Sequence, residues 1–75
     1  MDDEYLLKKT RVSITDERTF VGQLICYDAE GNVILNDVQE SRPGVDGHRY
    51  LAMCMIPYPA IVTLEQVETV MTIGA

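Results

Sequence analysis

The chain has 75 residues, 47% of them hydrophobic, with twelve Asp and Glu against six Lys and Arg for a formal charge of −6. That length makes one domain near the lower limit of independent folding, where a metal, a disulfide or a second chain commonly adds stability. The acidic balance argues against autonomous nucleic-acid binding, which draws its affinity from counterions released around cationic side chains.

In chain order, "DDEYLLKK" places acids before lysines, the polarity that suits a helix dipole, and predicts a short helix over 2–9. This acidic opening is unlike a secretory leader. The longest charge-free stretch, Tyr50 to Leu64, is 15 residues, short of the roughly 20 that a membrane-spanning helix needs. A cytoplasmic protein without membrane attachment is expected.

"TRVSIT" alternates, with Val12 and Ile14 on one face, and predicts a half-buried strand over 10–15. Asp16 to Arg18 turn the chain into a longer strand, 19–27, where Gly22 removes a side chain at a sharp bend or a close approach. "DAEG" at 28–31 is a tight turn: Asp accepts from amides ahead of it and Gly supplies positive φ. A strand over 32–39 follows, then a polar loop over 40–48 with Pro43, Gly44 and Gly47. Strands over 49–56 and 60–66 are joined by "PYP", and the tail 67–75 has both helical spacing and strand-forming residues.

No helical periodicity separates the strands, so antiparallel pairing is expected throughout. Five short strands with a glycine bend predict a mainly β domain, a strongly bent five-stranded antiparallel sheet that nearly closes into a barrel. The fourth strand carries Leu51, Met53 and Met55 on one face and Ala52, Cys54 and Ile56 on the other. Both faces are apolar, whereas a barrel has one interior. The helix, the tail or another protein is expected to cover the second face; for the methionines core packing is the plain reading and interface contact the second.

Catalysis finds little support. The single His48 lies in the polar loop, no acid pair has a distinctive setting, and no glycine-rich loop offers to hold a phosphate. Cys26 and Cys54 lack a CxxC pairing, which fits neither zinc nor a disulfide framework, and reduced core thiols are expected. No cofactor or metal is implied.

The stretch "FVGQLICYDAEGNVILNDVQE" closely resembles the first signature of Sm and Sm-like proteins, with Gly22, Leu24, Asp28, Asn32, Val33, Leu35 and Glu40 in register. The likeness spans roughly 5–64. It implies the Sm-like fold over a single domain, 1–75: a short N-terminal helix, then a strongly bent five-stranded open barrel. It also implies edge-to-edge assembly, the fourth strand of one subunit pairing with the fifth of the next. RNA-binding members hold a uridine between an apolar side chain just before the Asn and an Arg-Gly pair after the fourth strand. This chain keeps Asn32, but Gly31 has no side chain, and Pro57 and Tyr58 stand where Arg-Gly would be. Asn32 and Tyr58 are the RNA-contacting candidates if the chain is a subunit of an RNA-binding ring in RNA processing or decay. The plainer reading is that Asp28 and Asn32 shape their turn.

"MIP" at 55–57 and "IVTL" at 61–64 are similar to a divergent Sm-like branch, the small auxiliary subunits of N-terminal acetyltransferase C complexes. This resemblance implies a non-catalytic subunit, a large scaffold subunit and a catalytic acetyltransferase subunit as partners, and acetylation of N-terminal Met followed by a hydrophobic residue. Docking falls to Tyr50, Leu51, Met53, Met55 and Ile56, to Pro57 and Tyr58 of the rigid turn, and to Ile61, Val62 and Leu64. Direct nucleic-acid contact is not expected.

Overall fold

A computed structural model describes residues 6–67. Alternation along the strands sends Val12 and Ile14 of β1 (Lys9–Ile14) and Phe20 and Leu24 of β2 (Thr19–Tyr27) to one side. Val33, Leu35 and Val38 of β3 (Val33–Ser41) and Ile56 of β4 (Arg49–Ile56) join them, and together they form the buried core. A single 3-10 turn, Tyr58–Ala60, leads into β5 (Ile61–Gln66). The five strands make one antiparallel sheet in the order β4-β3-β2-β1-β5, so β4 and β5 are its two edges.

At Gly22 the strands approach closely. This glycine pairs with Thr10 of β1, and a Cβ at this position would stand 2.8 Å from the Asn36 carbonyl oxygen and 3.0 Å from Val38 Cγ2. The β2–β3 register shifts between Val21 and Gln23, beside this approach. The missing side chain therefore lets β3 cross closely over β2, as the sequence predicts.

The expected alternation of β4 does not hold. Leu51, Cys54 and Ile56 all pack against the core, whereas Tyr50, Met53 and Met55 are exposed. Leu51 is thus separated from the two methionines, and its inward partner is Cys54. The cause lies in β3: Asp37 adopts φ 52, and the buried positions there step from Val33 and Leu35 to Val38 and Glu40. Paired residue for residue with β3, β4 takes the same skip between Leu51 and Cys54.

Segment ends shift by small amounts. β3 runs on to Ser41, through the buried Glu40 that the sequence reading assigns to the loop, and Ala60 closes the 3-10 turn instead of opening β5. Of the helix expected over 2–9, residues 1–5 lie outside the described residues, Leu6 and Leu7 form a turn, and Lys9 already belongs to β1. Leu7 N–H donates to the Leu24 carbonyl and Leu24 N–H to Lys8, so this segment runs alongside β2. The tail beyond Val67 also lies outside the described residues. Cys26 is exposed, not a core thiol, and Cys54 is partly buried; both are free. Among the described residues no helix is long and apolar enough to cross a membrane.

Candidate functional site

The β2–β3 turn builds one wall of the site. Asp28 Oδ1 accepts from the backbone N–H groups of Glu30 at 2.9 Å and Asn32 at 3.0 Å, and its Oδ2 accepts from Asn32 Nδ2 at 2.7 Å. These donors, the Asn32 amide foremost, hold the Asp28 carboxyl below the usual carboxylate range. Gly31 closes the turn at φ 91, where a side chain would be strained.

Asn32 then reaches beyond its own turn. Its Oδ1 accepts the Tyr58 backbone N–H at 2.7 Å, so one amide clamps the β2–β3 turn to the β4–β5 connection. Pro57 donates no N–H and fixes φ before Tyr58, which makes the clamped turn stiff. The Tyr58 ring lies over Gly31: a Cβ there would stand 2.6 Å from Tyr58 Cδ1. The space that a side chain at position 31 would occupy is therefore filled by the Tyr58 ring. Asn32→Ala is expected to cost about 1 kcal/mol of folding stability and to raise amide exchange at Tyr58; unchanged exchange would show that the clamp is inconsequential.

The residues expected to dock a partner fall into three groups. Tyr50, Met53, Met55, Tyr58 and Val62 are each more than 60% exposed, and Pro57 is exposed beside them. Leu51, Ile61 and Leu64 are half-buried against the core. Ile56 is 2% exposed and belongs to the core, so it cannot contact a partner directly. Gly31, Tyr58, Ile61 and Leu64 line an apolar recess of about 270 Å³ beside β5. A second groove of about 360 Å³ has Phe20, Leu51, Cys54, Pro57 and Ala60 among its walls, together with Arg18, Glu40 and Arg49. Burial pushes the Cys54 thiol up, away from the reactive thiolate.

One cluster escaped the sequence reading. The Glu40 side chain is 1% exposed, and three arginines converge on it: Arg18 Nη1 at 3.0 Å, Arg42 Nε at 3.2 Å and Arg49 Nε at 3.3 Å. Arg18 also donates through Nε to Asp16 Oδ2 at 2.6 Å and lies 5.4 Å from the centre of the Phe20 ring. Burial pushes the Glu40 carboxyl up, but the arginines, Arg42 foremost, outweigh it and hold it below the ordinary range. The only hint in the sequence was the acid that ends the signature stretch.

Comparison with known proteins gives a consistent picture. The LSM domain family profile matches residues 2–70. The chain is 39% identical over 72 residues to "N-alpha-acetyltransferase 38, NatC auxiliary subunit" of Danio rerio, covering 89% of this chain and 65% of that protein. It is 41% identical over 68 residues to the Mus musculus protein of the same name, with 83% and 54% covered. For the Schizosaccharomyces pombe protein of that name the figures are 36% over 53 residues, with 71% of each covered. The chain thus spans between about half and two thirds of the length of the two vertebrate relatives. A chain of the NatC complex bound to CoA superposes with a TM-score of 0.77 at 25% identity, 91% of this chain and 90% of that one being covered. The Pyrococcus abyssii Sm protein in complex with a uridine heptamer superposes with a TM-score of 0.75 at 23% identity, with 85% and 89% covered, a likeness of fold alone.

Proposed function

We propose, from the premise that this chain belongs to the LSM domain family, that it is a non-catalytic auxiliary subunit of a NatC-type N-terminal acetyltransferase. The relatives named as NatC auxiliary subunits and the chain of the NatC complex that it resembles support this reading. The observation that carries it is the Tyr58 turn. Its ring covers Gly31 and its N–H is held by Asn32, so both are engaged within the chain, while Tyr58, Met53 and Met55 still present apolar surface outward.

In this role the chain docks on a large scaffold subunit through Tyr50, Leu51, Met53, Met55, Pro57 and Tyr58, and through Ile61, Val62 and Leu64 at the other edge. A partner that binds only the folded form stabilises it by mass action, and the benefit extends to the scaffold and the catalytic subunit. The complex acts in the cytoplasm on nascent chains that begin with Met and a hydrophobic residue. Deletion of the chain is expected to lower both scaffold abundance and acetylation of Met-Leu N-termini; if both stay at their normal levels, the reading fails.

Tyr58 is the anchor to test first. Tyrosines on preordered turns lose little entropy on binding and are frequent hot spots. Tyr58→Ala is expected to weaken association with the co-purified partner by more than about 1 kcal/mol; an unchanged dissociation constant would reduce Tyr58 to a turn residue.

The alternative, a subunit of an RNA-binding ring, asks Asn32 and Tyr58 to receive a base. The Asn32 amide already serves Asp28 and Tyr58, and no cation stands on the Tyr58 turn. Crosslinking of uridine-rich RNA to Asn32 or Tyr58 in an assembled ring would revive that reading.

A further inference from the structure

We propose that Arg42 and Arg49 form a carboxylate-binding fork that receives an acidic side chain of a protein partner at the loop between β3 and β4. This surface lies at the opposite end of β4 from the Tyr58 turn, and the inference does not depend on which complex the chain joins. Its basis is the way Glu40 holds the two arginines.

Both guanidinium groups meet the same oxygen of the buried carboxylate, Oε1, through Nε at 3.2 and 3.3 Å, and neither has a partner other than Glu40 among the described residues. The side chains are 48% and 61% exposed. Two donor ends are thus presented to solvent on stems whose inner ends are fixed. Arg loses less freedom on forming a paired contact when its planar group is already oriented, and Arg–carboxylate pairs gain from being bidentate. Arg18, in contrast, is occupied on both sides by Glu40 and Asp16.

Charge and shape select the class of ligand. Glu40 and Asp46 together balance the two positive charges of Arg42 and Arg49 at this surface, so selection rests on the planar, paired donors, which suit one carboxylate, and no surplus charge serves a run of phosphates along nucleic acid. The arginines border a cavity of about 350 Å³ that Val45, Asp46 and His48 also line. Asp46 disfavours densely charged anions. Val45 is 60% exposed, so the cationic fork has an apolar neighbour, a combination that suits a polypeptide carrying an acid beside an aliphatic residue.

The test uses the full chain, labelled with nitrogen-15, and follows the arginine Nε–H resonances. The probe is the blocked tripeptide Glu-Leu-Glu, with Gln-Leu-Gln and inorganic phosphate as parallel arms. Saturable shifts confined to Arg42, Arg49 and the amides of 42–49, induced by the acidic peptide alone, are expected. Affinity should fall about tenfold in R42Q/R49Q. Equal shifts with the glutamine peptide, binding of phosphate only, or unchanged affinity in the variant would each overturn the proposal. Should R42Q/R49Q lose its fold, R42K/R49K keeps the charge without the fork; full affinity in that variant would equally overturn the proposal.

Discussion

Glu40→Gln is expected to lower folding stability at neutral pH by about 2 to 3 kcal/mol, because three guanidinium groups lose the charged acceptor they share. For a domain whose total stability is on the order of 5 kcal/mol or little more, that is a large fraction. The pH dependence supplies a second readout. The folded Glu40 carboxyl sits below its ordinary range, so its contribution is complete above the unfolded value and is lost as the pH falls through the folded one. Asp16, held down chiefly by the Arg18 backbone N–H, and Asp28, held down chiefly by the Asn32 amide, act in the same direction. Urea midpoints measured between about pH 7 and pH 2 should therefore fall steeply for the parent chain and less steeply for the variant. Equal midpoints at neutral pH would mean that the cluster contributes nothing net.

Gly22→Ala is the second large effect. The new methyl group would meet the Asn36 carbonyl at 2.8 Å and the Val38 backbone at 3.2 Å, and neither can yield as the end of a flexible side chain would. A loss of about 2 kcal/mol is expected, roughly 10 °C in Tm for a domain of this size. Gly22→Val adds two methyl groups at the same place and should fail to fold. A melting curve for Gly22→Ala that coincides with the parent would show that the strands separate at this point without cost.

Much of the fold was legible because it follows from local chemistry. The Asp28 turn, the close approach at Gly22 and the period-two pattern of β1 each depend on residues within one or two strands. What remained hidden depends on contacts between distant segments. The positive φ of Asp37 reverses the alternation of β3, and β4 follows through pairing, so no property of "LAMCMI" alone could separate Leu51 from Met53. Gathering Arg18, Arg42 and Arg49 around Glu40 requires a turn, a loop and two strands to be in place at once. At the candidate site, the missing side chain at Gly31 and the missing Arg-Gly pair were readable from residue identity; the exposure of Met53 and Met55, for which core packing was the plain reading, was not. Nor was the Asn32 clamp on Tyr58, because its partners are 26 positions apart.

The strand order gives the molecule two dissimilar rims, since β4 closes one end of the ribbon and β5 the other. Among the described residues no further strand pairs with either rim, so a neighbour that shields one leaves backbone amides and carbonyls of the other as a template for stacking. Under the proposed subunit role, copies made in excess of a capping partner would keep an unshielded rim and are expected to clump more readily than the assembled form, which would tie the amount a cell can safely hold to the supply of that partner.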